Sequence, residues 1–544
     1  MGLTTPTLEI GALLLTAFLY GAWRFYGFLR IVYLTPLSDL PGPPSSSWVY
    51  GNMRDIAAVD ENLLPDTWFT RYGKNLIDRE FFMRPRVWSL DSRAIQHVLS
   101  HPNDFPRTDE LQRSLRDLLG AGLLSVWGEE HRRQRRILNP AFGPAQIRDL
   151  THIFVEKANE LREYWTEASA RSGSVRVNVN DDLSKLTLDI IGQAGFGYDF
   201  NAMNPAEKPN ELYLAFKGLF MTNPPIFALM PILLFWFPIL KRIPMHRTVT
   251  VKHASETVHR IGAQLVAERK TAILREASEK HLKREDLQGR DLLTLLVRAN
   301  MAEDIPESQR LSDEDVVNQI PTFLLAGHET TSTASTWALY SLSRYPAAQQ
   351  KLREELFSIQ SDTPTMDELS ALPYLDAVVT ETLRLHSPTA MLVRVAAKDD
   401  VIPLSEPFTD RHGKMHSEIR VTKGQKFVVP VMALHRSAEI WGEDAREFRP
   451  ERWQQPPEAS SAIPGVWGRL LTFIGGPRSC IGYRFAVVEL KAILFTLVRA
   501  FEFELAVPVD DIVVKTTHTG HPSLRSEPEK GHQLPLIIKP YKAA

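Results

Sequence analysis

The 544 residues carry 63 lysines and arginines against 65 aspartates and glutamates, and a formal net charge of −2 offers no basic surface for nucleic acid. A single cysteine, Cys480, excludes an internal disulfide and a zinc site built from several thiolates, and fits a reducing compartment. Apolar and aromatic residues make up 44%, ample for a large core, while at roughly 150 residues per domain the length alone would suggest three or four domains.

Leu8 to Leu34 is an apolar-rich stretch interrupted by Glu9, Arg24 and Arg30. Its cleanest run, Ile10 to Trp23, falls short of the roughly 20 residues that span hydrocarbon, and extension through Phe25–Leu29 reaches that length. No lysine or arginine precedes the run and two arginines follow it, which predicts an uncleaved anchor over residues 1–34 with the remainder cytosolic. Pro36 and Pro41-Gly42-Pro43-Pro44 cannot continue a helix and read as a semi-rigid spacer over residues 35–47. Asn75 to Ser100 reads as short strands and turns. Trp127 to Phe142, WGEEHRRQRRILNPAF, reads as a basic helix stopped by Asn139-Pro140, with Arg132 and Arg133 on its solvated face. Ile226 to Leu240 is a second apolar run, too short to span and broken by prolines. A buried core segment is one reading, and a membrane-dipping segment is preferred because so many exposed apolar residues would otherwise be an aggregation liability. Ala267 to Arg290 is charged surface helix and loop. Ser312 with Asp315 predicts a capping box opening a helix that runs to about Ser343 past Pro321.

Ala326-Gly327-His328-Glu329-Thr330-Thr331 falls within that helix and sets Ala326 and Thr330 on one face. A threonine here can simply bond back to the carbonyl four residues earlier. Glu381 and Arg384 are three apart on a helix, an ordinary exposed ion pair unless buried. Phe448–Trp453 supplies Arg452. Val401–Pro430 and the tail beyond Phe501 read as strands and turns. Phe473–Gly482, FIGGPRSCIG, surrounds the cysteine with glycines and a proline, and sets Arg478 two residues away, which favours a thiolate. An apolar helical pattern, Tyr483 to Phe501, follows, so Cys480 sits just before a helix N-terminus.

The last stretch resembles the haem-binding loop of cytochrome P-450 enzymes, F-x-x-G-x-R-x-C-x-G, at Phe473, Gly476, Arg478, Cys480 and Gly482, with Ile474 replacing a frequent glycine. The resemblance implies a mainly α protein with small β-sheets, one large cytochrome P-450 fold over residues 48–544 behind an N-terminal membrane anchor helix and a proline-rich hinge. It implies haem b (iron protoporphyrin IX) ligated by Cys480, and propionates held by Arg135 with His131 and by Arg394. Trp127 competes with His131 but lies eight residues before Arg135 instead of four. Ala326–Thr331 matches the family's A-G-x-[DE]-T-T without departure, which assigns Thr330 to dioxygen and Glu329 to proton supply; His328 receives no role. Glu381, Arg384 and Arg452 match its buried structural triad, with Trp453 in place of a phenylalanine. Leu385–Ala396 and Thr516–Pro522 resemble pocket-lining regions.

The implied activity is a haem-thiolate monooxygenase on a hydrophobic small molecule, a terpenoid or sterol of fungal secondary metabolism, at the endoplasmic reticulum membrane. Electrons would come from NADPH through a separate cytochrome P-450 reductase, docked by Arg132, Arg133 and Arg484, with cytochrome b5 as a further partner. A haem-thiolate isomerase, dehydratase or peroxygenase would lose the acid–threonine pair, which is present here. A non-enzymatic haem binder is the reading from another class, and the same pair argues against it.

Overall fold

The computed structural model describes residues 5–58, 63–204, 210–212, 214–215, 246–277, 291–301, 310–516 and 519–542. The apolar run Ile226–Leu240 lies outside them, as do residues 278–290 of the charged stretch. The chain divides into two compact units, Met1–Thr108 with Met391–Leu434, and Asp109–Ala390 with His435–Ala544.

The first unit opens with a 28-residue helix, α1 (Thr5–Val32). The expected transmembrane anchor is not supported: among the described residues no helix is long and apolar enough to cross a membrane. Glu9, Thr16, Gly11, Gly21, Gly27 and two arginines dilute the apolar run below what bilayer transfer requires. Within this unit the proline-rich stretch is fastened by hydrogen bonds. The Pro41 carbonyl accepts the Ile77 amide at 2.9 Å, Asn52 donates to the Pro44 carbonyl at 2.8 Å, and Leu37 is wholly buried. This segment lies on a four-stranded sheet in the order Asn75–Arg79, Pro85–Ser89, Lys426–Val429, Leu392–Val395. Only the central pair is parallel. Ser92–Ser100, expected as strand or turn, is a helix: the Asp91 carboxylate caps the amides of Arg93 and Ala94, and Ala94, Ile95, Val98 and Leu99 make one buried face. The hairpin Asp400–Thr409/Met415–Val421 fulfils the strand expectation for that stretch.

The second unit is mainly helical. Its helices include α2 (Gly128–Leu138), α3 (Pro144–Ser169), α4 (Val179–Phe196), α5 (Asp313–Arg344), α6 (Pro373–Leu385) and α7 (Tyr483–Ala500). Ser312 and Asp315 form the expected reciprocal capping box, and α5 continues through Pro321 for 32 residues before Tyr345-Pro346 ends it. It packs against α4, and α7 packs against α3. Two small antiparallel sheets complete the unit. One joins Val175–Asn178, Pro535–Pro540 and Phe501–Leu505; the other is the hairpin Ile512–Thr516/Gly520–Leu524.

Candidate haem-thiolate site

Cys480 ends a loop whose shape is set by its own backbone. The Cys480 amide donates to the Phe473 carbonyl at 2.8 Å, closing the loop on itself. Gly476 adopts φ +71°, and a side chain on Gly475 would meet the Pro464 carbonyl at 1.8 Å, so both positions require glycine. Ile474, where a glycine is frequent in the motif, stands at φ +59°, a left-handed conformation that costs a β-branched residue strain. Burial pushes the Cys480 thiol up, while the Gly482 amide and the Arg135 guanidinium pull toward thiolate.

The stretch Leu124–Arg135, the start of α2 included, packs on this loop. Arg135 on α2 donates from Nη1 to the Ser479 carbonyl at 2.5 Å. Burial lowers its own pKa and the adjacent Cys480 opposes that. Arg478 donates to the carbonyls of Val126 at 3.0 Å and Leu124 at 3.4 Å, and its guanidinium lies 4.3 Å from the centroid of the Trp127 ring. His131 is buried on the same helix. Trp127, the rejected rival for the propionate position, is therefore the one stacked on the loop. Its place at the N-cap of α2, outside the four-residue spacing, hid that in the sequence.

On α5 the flanking residues Val316–Leu325 and Thr331–Leu342 are buried, and only the Ala326–Thr330 turn opens, with Ala326 exposed. The Thr330 hydroxyl donates to the Ala326 carbonyl at 2.6 Å, so the back-bond foreseen for it is made. Gly327 does not widen this opening: a side chain there would meet Ile191 of α4 at 2.9 Å, so its smallness serves helix packing. His328 has a structural place after all. Its Nε2 lies 3.0 Å from the Ser184 hydroxyl, its carbonyl accepts from Thr187 at 3.1 Å, and burial lowers its pKa to about 4. Glu329 faces the tail hairpin, where Thr519 donates to its Oε1 at 2.9 Å and His521 Nε2 stands 3.2 Å away. Burial alone would raise this carboxyl, but His521 and Thr519 together hold it below its ordinary value.

Glu381, Arg384 and Arg452 form one buried cluster. Arg384 grips both oxygens of Glu381 at 2.8 and 2.7 Å, and Arg452 Nε approaches Oε1 at 3.4 Å. The Trp453 indole donates to Oε2 at 3.0 Å, a bond the family's phenylalanine cannot make. Arg384 also donates to the His435 carbonyl at 2.7 Å, and His435 Nε2 accepts the Leu471 amide at 2.8 Å. Thr472 in turn donates to the Leu383 carbonyl at 2.9 Å. The cluster thus holds the root of the cysteine loop. Arg394 belongs to the first unit, where it is buried in its strand and burial lowers its pKa to about 9. Two of the arginines expected to dock a reductase are already paired, Arg132 with Glu129 at 2.6 Å and Arg133 with Asp315 at 2.9 Å; Arg484 is exposed.

A lone, half-buried cysteine beside Arg135, at the end of a loop closed by its own backbone, fits an iron porphyrin held through one thiolate. Among the described residues no group of three or more His, Cys, Asp or Glu offers a competing metal site. The class defined by this loop, the opened helix turn and the Glu381 cluster is a haem-thiolate enzyme.

Comparison with known proteins agrees. The family model "Cytochrome P450" matches residues 41–527, and the chain belongs to the cytochrome P450 family, as a monooxygenase with haem iron as the family's cofactor. Cytochrome P450 monooxygenases 205 and 128 of Postia placenta are each 50% identical over 95% of this chain and 96% of their own length. A ganoderic acid synthetase of Ganoderma lucidum is 34% identical over 96% of this chain and 98% of its own.

Proposed function

We propose that this monooxygenase inserts one oxygen atom of dioxygen into a hydrophobic small molecule, a terpenoid or sterol of secondary metabolism. NADPH supplies the electrons through a separate cytochrome P-450 reductase, with cytochrome b5 as a second partner, at the endoplasmic reticulum membrane. The observation that carries the reading is the intact acid–hydroxyl pair Glu329–Thr330 on the open turn between the buried stretches of α5, in the same unit as the Cys480 loop. The name of the Ganoderma relative supports a secondary metabolite as substrate. Exposed Phe18, Trp23 and Tyr26 on α1 support contact with a membrane surface.

Bound haem b would supply dioxygen activation and the electron push of a thiolate ligand. Cys480 would hold the iron as thiolate, favoured by Arg135 and the Gly482 amide. Phe473 closes the loop through its carbonyl; Arg478, Arg135 and His131 would be the cations and N–H donors for the propionates of a bound haem, and the family resemblance would add Arg394. Thr330, tied as donor to Ala326, presents its lone pairs to the opening and hands on a proton that Glu329 provides. Arg484 offers an exposed cation beside the loop for an acidic redox partner.

The test is a Soret titration of yeast microsomes containing the full chain against terpenoids, sterols and fatty acids, followed by NADPH-dependent turnover of whichever compound shifts the band. A blue shift and oxidised product with a terpenoid or sterol are expected. A shift with fatty acids alone refutes the substrate class, and turnover independent of reductase refutes the electron route.

A further inference from the structure

The tail hairpin brings a second set of titratable groups against Glu329. Trp337 of α5 donates from its indole to the Gly520 carbonyl at 2.7 Å, and the Gly520 amide reaches the Pro388 carbonyl at 3.3 Å, which fixes the strand Gly520–Leu524 beside the helix. Thr519 and His521, 4% and 8% exposed, then face Glu329. Thr519 Oγ1 lies 2.7 Å from His521 Nε2 and 2.9 Å from Glu329 Oε1, so one hydroxyl can accept from the ring and donate to the carboxylate. The other ring nitrogen, Nδ1, lies 3.3 Å from Thr333 Oγ1, whose own proton goes to the Glu329 carbonyl. Both nitrogens of His521 therefore point at acceptors, the arrangement a protonated imidazole needs. His532 stacks on His521 with ring centroids 4.6 Å apart, and its Nδ1 meets the Ser523 hydroxyl at 3.2 Å. Among the described residues, His328 on α5 and Lys515 on the hairpin also act on this cluster.

We propose that His521, acting through the Thr519 hydroxyl, is the proton supply of Glu329. The proposal rests on the reading of Glu329 as proton source and extends it by one residue pair that the sequence motif does not contain. In the step, the Nε2 proton of the His521 imidazolium passes to Thr519 Oγ1 while the Thr519 proton passes to Glu329 Oε1. The hydroxyl is regenerated, the imidazole becomes neutral, the carboxyl becomes uncharged, and solvent reprotonates the ring once Glu329 has given its proton up. His532 favours this placement of charge: two stacked imidazolium rings repel, and only His521 faces the carboxylate. Burial and the charge of His521 lower His532 to about 4, so it stays neutral at physiological pH. His521 is thus a positioning and proton-supplying residue that acts through Glu329.

The experiment uses full-length, haem-loaded enzyme with its reductase and a compound that shifts the Soret band. The variants are His521→Asn, His521→Gln, Thr519→Val and Glu329→Gln, with the reduced carbon monoxide spectrum checking haem loading in each. Two quantities are read: the share of NADPH electrons lost as hydrogen peroxide across pH, and deuterium exchange at the histidine C2–H by mass spectrometry, which follows each imidazole without turnover. We expect at least a threefold rise in the peroxide share in all four variants, and a shifted exchange midpoint for His521 in Glu329→Gln. His521→Gln keeps a hydrogen bond but cannot titrate, so recovery of coupling by that variant would overturn the proposal in favour of a structural role. If Glu329→Gln uncouples while His521→Asn and Thr519→Val do not, the histidine supply is refuted alone. If Glu329→Gln itself stays coupled, the reading of Glu329 falls first. Thr519→Val is nearly isosteric and keeps the question answerable should His521→Asn fail to load haem.

Discussion

Replacing Glu381 tests the strongest structural claim. Five donors converge on its two oxygens: Nε and Nη2 of Arg384, Nε of Arg452, the Arg449 amide at 3.0 Å and the Trp453 indole. Glu381 and Arg384 are both 0% exposed, so water cannot take over when the carboxylate is lost. Glu381→Gln keeps one acceptor, turns the other into a donor facing donors, and strands the Arg384 charge. Breaking a buried ion pair from one side costs about 3–5 kcal/mol, a large part of the 5–15 kcal/mol that holds typical domains folded. Trp453→Phe removes one hydrogen bond to a charged group and leaves four donors, for a cost of about 1.5 kcal/mol. Urea unfolding followed by circular dichroism gives the stabilities, and the reduced carbon monoxide spectrum gives haem per chain. Because Arg384 and His435 hold the Leu471 amide at the root of the cysteine loop, haem content should fall with stability, and Glu381→Ala should give apoprotein or no folded protein. Normal haem content in Glu381→Ala, or a loss below about 1 kcal/mol in Glu381→Gln, would sink this account.

Cys480→Ser should abolish the red-shifted thiolate band of the reduced carbon monoxide complex while leaving helix content unchanged; persistence of that band excludes Cys480 as ligand. Ile474→Gly should stabilise the loop by about 1 kcal/mol by removing left-handed strain, read as a higher urea midpoint at constant slope. Glu489 is wholly buried beside Thr331 and burial pushes it well above the carboxylate range. The unfolded chain then loses this proton first, so stability falls by about 1.4 kcal/mol per pH unit above pH ~4.3, a slope that Glu489→Gln should remove. His435 behaves oppositely: burial holds it at about 3, so its neutral form stabilises above the unfolded value near 6.5, and that contribution is lost as pH falls from there toward 3. His435→Gln, which can still accept the Leu471 amide, should flatten the acid limb by about 1.4 kcal/mol per unit, and an unchanged limb would refute the assignment.

What the sequence disclosed depended on how local the physics was. The capping box of α5, the loop around Cys480 and the Glu381–Arg384 spacing are each set within a few residues, and each appears where the sequence puts it. Ser92–Ser100 departs from the strand expectation because short amphipathic helices and alternating strands differ little over nine residues, although Asp91 is a visible cap. The N-terminal anchor is not supported: the helix is there, but among the described residues no helix is long and apolar enough to cross a membrane. Trp453 illustrates the opposite case, where a departure from a motif looked neutral in one dimension. Only the fold shows that its indole reaches Glu381 from 72 residues away.

The same limit explains why the tail was legible as strand but silent as chemistry. Thr519, His521 and His532 have no spacing that marks a relay, and in sequence they are 190 or more residues from Glu329. Their meaning comes from a hairpin pinned to α5 by Trp337, a contact without local precursor. The motif on α5 names the acid, but a buried carboxylate can deliver protons repeatedly only if something recharges it. Among the described residues, the side chains within hydrogen-bonding reach of that carboxylate are a threonine and a histidine from the other end of the unit. On the proposed relay, proton supply would be a property of the tail hairpin's packing on the helix. Variation in that hairpin should alter coupling without touching the motif itself.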